Sequence, residues 1–266
     1  MIDPQIIFQD QDVLVINKPF GVVVNNAETV RDEKTIQDWA KGSIQALENE
    51  DLESEFVKRG GIVHRLDRET SGVMVLAKNK NSFENLQSQF KERKVEKIYL
   101  ALVHGHLKEK EGRITGKIGR VGSFGKFGMN ENGRESETNF KVNDFYTINE
   151  DKFNDMVSKN EIKLNKNQMN YIKSNAWNYT YVTVMPKTGR THQIRVHMKS
   201  LGHPLVSDQI YDPRKLLKLD LLWCPRLFLH ARELSFYHPA SNERLKFEAR
   251  LPAELDEYLS FLDNSK

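Results

Sequence analysis

The sequence predicts an α+β protein built on a mixed, largely antiparallel β-sheet with flanking helices. Three observations carry this. Short β-branched, strand-like runs outnumber amphipathic helical stretches, the two kinds do not alternate as a doubly wound parallel fold requires, and no internal repeat is present. A chain of 266 residues can bury a substantial core, and it reads as a single domain over 1–266 with one apparent insertion at 149–174.

The elements follow in order. In "DVLVINKPFGVVVN" two apolar runs, Val13 to Ile16 and Val22 to Val24, flank Pro19 and Gly21, which predicts strand, break, strand. "GVMVLAKN" reads as a short buried strand. Asn81 and Glu84 have capping-box spacing, and Phe83, Leu86 and Phe90 share one face of the helix that follows. "KIYLALVHG" alternates, with Ile98, Leu100 and Leu102 facing one way and Tyr99, Ala101 and Val103 the other. "GRVGSFGKFGMNENGRE" reads as turns between short strands. The Lys/Asn-rich segment from Asn149 to Ser174 reads as an insertion, partly helical and partly mobile. "WNYTYVTVMP" is a further strand. "TGRTHQIRVHMKSLG" predicts a helix entered through Gly189 and Thr191 and stopped near Gly202, and "LFLHARELSFYHP" returns to strand.

Hydrophobic content of 38% with 29% charged residues is that of a soluble globular protein, and a net charge of +3 does not by itself identify a nucleic-acid partner. Its distribution is more telling. No acid occurs from Ile162 to Ser207, where seven Lys or Arg residues fall, whereas "ENEDLESE" carries five acids and no base. The lone cysteine, Cys224, excludes an intrachain disulfide and a thiolate-built zinc site. With no secretory pattern and no apolar run of membrane-spanning length, we expect a cytoplasmic protein without a membrane partner.

Several chemistries are set aside by pattern. Eight histidines include no H-E-x-x-H and no pair with an obvious acidic third ligand, so neither metal nor cofactor is expected. "HRLD" and "VMVLAK" resemble kinase motifs in the wrong order, without D-F-G or the glycine loop. Ser71 is not in G-x-S-x-G, because Glu69 stands at the first glycine position.

Asp67 remains, set between Arg65 and Arg68 in "GGIVHRLDRETSG". Nearby guanidinium groups favour an ionised carboxylate, which suits nucleophilic attack or proton abstraction rather than acid catalysis. Local charge alone fits a surface ion pair as well as catalysis. In "TGRTHQIRVHMKSLGH", Arg190 precedes the helix start, where backbone N–H groups attract anions, and Arg195 and Lys199 share a face with His192. Those cations suit a phosphate backbone, and equally a solvated basic face. Tyr99 is either a second-layer core residue or a platform for stacking a base.

At these residues the sequence resembles the RluA-type pseudouridine synthase family. "HRLDRETSG" reproduces its H-R-L-D-x-x-T-S-G signature, "VINKPFGVVV" its K-P-x-G segment, and "EKIYLALVHG" its K-x-Y-x-A strand. "TGRTHQIRVHMKSLGHPLVSD" and "LFLHARELSFYHP" are similar to its later motifs, in the expected order from about Phe8 to Pro239. The resemblance implies a mixed antiparallel sheet around a catalytic cleft, and isomerisation of uridine to pseudouridine in structured rRNA or tRNA, without cofactor or metal. It makes Asp67 the catalytic aspartate, Tyr99 the aromatic residue against the uracil, and Arg195 the cation paired with the catalytic carboxylate. Arg65 becomes the arginine that helps displace the flipped nucleotide, while Arg190, His192 and Lys199 are expected to bind substrate. Arg68 is expected to be a surface charge. The motifs begin so early that no S4 RNA-binding domain is expected, and the 149–174 insertion is expected to extend the RNA surface. We expect a monomer with no obligate protein partner. A non-catalytic RNA-binding protein or RNA chaperone of the same fold is the rival reading, and a glycosidase or nucleosidase would need a second carboxylate.

Overall fold

The structure, a computed structural model, describes residues 3–26, 33–49, 51–122 and 125–265. Met1 and Ile2, Glu50 of the acidic run, and Ser123 and Phe124 of the glycine-rich stretch lie outside the described residues. In chain order the strands are β1 (Gln5–Gln9), β2 (Val13–Lys18), β3 (Ser71–Ala77), β4 (Glu96–His104), β5 (Glu111–Arg120), β6 (Phe127–Met129), β7 (Arg134–Ile148), β8 (Asn178–Pro186), β9 (Leu229–Tyr237), β10 (Arg244–Glu248) and β11 (Leu262–Asn264). The helices are α1 (Ile36–Ser43), α2 (Ala46–Asn49), α3 (Glu55–Lys58), α4 (Lys80–Lys91), α5 (Glu150–Lys159), α6 (Lys166–Asn175), α7 (Gln193–Ser200), α8 (Arg214–Trp223) and α9 (Ala253–Ser260). No helix among the described residues is long and apolar enough to cross a membrane.

The chain divides into two compact units, one of residues 1–98 with 230–250 and the other of 99–229 with 251–266. In the first, β1, β2 and β3 are antiparallel neighbours, β3 pairs in parallel with β9, and β10 returns antiparallel to β9. β3 is buried along its whole length, which explains a sequence of continuous rather than alternating apolar residues. Gly72 is required at the parallel pairing. Its φ of +124° suits glycine, and a Cβ there would lie 2.1 Å from the backbone oxygen of Ala231.

In the second unit β4, β8, β7, β5 and β6 form an antiparallel series, with β11 added on β7. Alternation along β8 sends side chains to two cores. Tyr179 and Tyr181 point to one that includes Phe153, Met156, Ile172, Trp223 and Leu255, contributed by α5, α6, α8 and α9. Val182 and Val184 point to another that contains Ala101, Val103, Ile194 and Met198, so α7 packs on that face. The sheet is therefore mixed and mostly antiparallel with flanking helices, as the sequence predicts.

Local expectations fail at two places for physical reasons. Val22 to Val24 do not form a strand, because the Val23 and Val24 carbonyls accept the N–H groups of Ile36 and Gln37 at the start of α1. The cap of α4 is Asn79 rather than Asn81. Its side chain accepts the Ser82 N–H, and it also reaches Asp12, a partner distant in sequence. The 149–174 segment is two helices anchored by Phe153, Met156 and Ile172, and Lys159 and Lys173 form ion pairs with Asp155 and Glu150. Its charge is largely balanced within itself.

Gly72→Ala should therefore lower stability by about 3 kcal/mol, because backbone on β9 must move to admit one methyl group. Urea denaturation followed by circular dichroism measures this.

Candidate active site

The backbone on either side of Asp67 is fastened to neighbouring elements. Gly61 and Ile62 lie against the far end of β3, through an Ala77 N–H to Gly61 O bond and a bridge between Ile62 and Leu76. His64 follows, and its Nε2 accepts the Val75 N–H at 3.1 Å while its ring stacks on Phe90 at 4.5 Å. Leu66 is buried, Asp67 is half-buried, and the Asp67 carbonyl accepts the Thr70 N–H to close a turn. Ser71 then hydrogen-bonds to His230 Nδ1 at 2.9 Å, and His230 Nε2 is 3.2 Å from the Ala249 carbonyl.

The deepest tie is Lys18, which is fully buried. Its ammonium donates to the carbonyls of Pro19 and Val22, each at 2.8 Å, and of Arg68 at 3.3 Å. The Arg68 carbonyl also accepts the Gly21 N–H. The K-P-x-G turn and the residue after Asp67 are thus fastened to one charge. The Arg68 guanidinium turns elsewhere, to the Glu33 carboxylate at 2.8 Å and to the Gly21 carbonyl, in an exposed pair of small energetic worth. Arg65 is exposed.

In the second unit, Arg195 on α7 is 1% exposed and meets Asp208 in a two-pronged pair, Nε and Nη2 at 2.8 and 2.7 Å. Asp208 Oδ1 also accepts the N–H groups of Ile210 and Tyr211. The Tyr211 ring lies 5.2 Å from the Arg195 guanidinium and 5.7 Å from the Lys199 ammonium, and its hydroxyl is 2.9 Å from His192 Nδ1. Arg195, Lys199 and His192 are thus gathered around one aromatic ring. Lys199 is exposed, His192 is half-buried, and Arg190 Nε donates to the Glu135 carbonyl. Tyr99 is half-buried near the start of β4 and packs on the core that contains Ala101 and Val103.

Two residues of the T-G-R-x-H-Q-I-R-V-H stretch serve as fasteners. Gln193 donates to the Glu137 carbonyl and Thr138 hydroxyl, and accepts from Thr188 and the Arg190 N–H. His197 is fully buried between the hydroxyls of Ser136 and Thr138, and burial holds it down to about 4. Both hold α7 to β7. Sequence reasoning did not single out Asp208 and Tyr211. The only available sign was "VSDQIYDP", where a polar, turn-forming segment follows the basic helix.

Burial, with a smaller contribution from the Lys97 charge, lowers His64 to about 3 from an ordinary value near 6.5. The unfolded chain therefore takes up a proton below pH 6.5 that the folded chain refuses. The stabilising contribution is present above that pH and fades as pH falls towards 3. Relative to His64→Gln, the wild type should lose up to about 1.4 kcal/mol per pH unit in that window, read from denaturation curves at stepped pH. Asp208→Ala should cost about 3 kcal/mol by removing the buried carboxylate paired in a fork with Arg195, measured the same way at neutral pH.

Comparison with known proteins agrees with these motifs. Residues 12–200 match the family model described as RNA pseudouridylate synthase. The chain is 32% identical over 258 residues to a ribosomal large subunit pseudouridine synthase C from Vibrio cholerae, covering 96% of this chain and 68% of that one. It is 37% identical over 269 residues to an uncharacterized RNA pseudouridine synthase from Aquifex aeolicus, covering 97% and 72%. Among solved structures it matches Human RNA Pseudouridylate Synthase Domain Containing 1, with a TM-score of 0.67 and 26% identity over 99% of this chain and 89% of that one. The chain belongs to the RNA pseudouridylate synthase family of isomerases.

Proposed function

We propose that this chain converts specific uridines of large-subunit ribosomal RNA to pseudouridine, with Asp67 as the catalytic carboxylate. The observation that carries the reading is the half-buried Asp67 in a loop fastened by Lys18, His64 and Thr70. A reacting group must be held still, and here several contacts to its neighbours keep the backbone in one conformation. Relatives named for the ribosomal large subunit favour that RNA over tRNA.

The reaction breaks the bond from C1′ to N1 of the uridine, turns the uracil, and joins C1′ to C5. A carboxylate serves by attacking C1′ or by removing the C2′ proton, and both routes need the ionised form. The target base must first leave its stack, at a cost of a few kcal/mol. In this reading Tyr99 supplies the surface on which the detached uracil stays stacked, and Arg195 is the cation that supports the carboxylate chemistry. Arg65 assists the flipping. Arg190, His192 and Lys199 contribute phosphate contacts that offset its cost. The chain acts as a cytoplasmic monomer without an obligate protein partner.

Asp67→Asn should reduce pseudouridine formation on transcribed large-subunit RNA by about 10³-fold or more, while RNA affinity and unfolding temperature stay near wild type. Conversion at an undiminished rate sinks the assignment. A wild-type chain that binds the RNA and converts nothing supports the RNA-chaperone reading instead.

A further inference from the structure

The second unit holds a buried polar cluster that the proposed reaction does not use. His104 is the last residue of β4, Asp212 precedes Pro213 ahead of α8, and Asp220 lies within α8. The side chains are sealed from solvent, with 3% exposure for His104 and 0% for both carboxylates. His104 Nε2 is 2.8 Å from Asp220 Oδ2 and 3.7 Å from Asp212 Oδ2, and one ligand atom from each of the three residues lies within 4.8 Å of the others.

Neither oxygen of Asp212 has a hydrogen-bond partner, nor has Asp220 Oδ1 or His104 Nδ1. A buried carboxylate with both oxygens unsatisfied is expensive, and a protonated His104 balances only one of the two. A proton or a cation at Asp212 relieves that cost.

We propose that His104, Asp212 and Asp220 bind a divalent cation of the zinc class as a structural site. A tetrahedral zinc with bonds of about 2.0–2.1 Å places its ligand atoms about 3.3 Å apart, and the separations of 2.8 and 3.7 Å lie on either side of that value. The imidazole nitrogen favours zinc over magnesium or calcium, which prefer all-oxygen shells. Sequence spacing could not reveal the set, because His104 and Asp220 stand 116 positions apart.

The consequence is local order. Asp220 Oδ2 also accepts the Ser207 N–H, and the Ser207 hydroxyl bonds to the Cys224 carbonyl, with Ser207 itself in the left-handed region at φ 59°. The site therefore fastens both ends of the segment from Ser207 to Pro213. That segment carries Asp208 and Tyr211, the partners of Arg195 and His192. The proposal stands or falls without reference to uridine conversion.

The test uses the full chain, stripped with chelator and titrated with Zn2+. The expected result is one zinc per chain by elemental analysis and a rise in unfolding temperature of about 5 °C at a hundredfold excess over Kd. Asp212→Asn and His104→Gln should each weaken zinc binding at least tenfold and abolish the shift. Asp12→Asn, in the more exposed Asp10, Asp12 and His238 group, should leave both unchanged. The proposal is overturned if wild-type protein takes up no zinc, or if the shift persists in Asp212→Asn. Should either variant fail to fold, zinc uptake by the wild type decides alone.

Discussion

A single buried ammonium sets the conformation on which the candidate site depends. Lys18 ends a strand whose first four residues are packed in the core and is itself fully buried, so its charge is met by protein oxygen. Three carbonyls meet it, one of them from Arg68, fifty positions along the chain. Carbonyls are obligatory acceptors wherever they are buried, and turns leave theirs unused by sheet or helix. The arrangement thus solves two problems together. The ammonium is solvated by backbone oxygen, and the turn carbonyls beside Asp67 are satisfied without a regular element that would move the aspartate.

The second unit reaches the same end through a different pairing. Arg195 is sealed in the interior with a carboxylate matched to it in a fork, and that carboxylate in turn caps the backbone of its own loop. Charge, hydrogen bonds and an aromatic face converge on one guanidinium. Such a group is fixed in direction in a way that a surface arginine is not, and an arginine with a defined direction is what recognition of a planar or anionic group requires.

The sequence made much of this legible. The H-R-L-D signature located the aspartate, the alternation in "KIYLALVHG" placed Tyr99 with Ala101 and Val103, and "WNYTYVTVMP" was visible as a strand. What stayed hidden was whatever depends on contacts distant in sequence. Val22 to Val24 have strand composition, but their carbonyls are claimed by a helix start. Asn79 outcompetes Asn81 as a cap because Asp12 lies within its reach. Asp208 and Tyr211 look like ordinary turn residues until Arg195 is seen against them. The insertion shows the opposite bias. Its lysines read as a charged surface, whereas its few apolar residues, Phe153, Met156 and Ile172, anchor it in the core.

The fasteners Gln193 and His197 have a further implication. They hold α7 from its buried side, while Lys199 projects from the same helix into solvent and Arg65 projects from the loop of Asp67. Residues that maintain the scaffold and the residues proposed to meet the RNA therefore occupy different faces of the same short segments. Exchange of an exposed cation alters what is recognised at little thermodynamic cost, whereas exchange of a fastener endangers the element itself. Under the proposed roles, preference for one RNA over another is free to drift on this scaffold while its chemistry stays fixed.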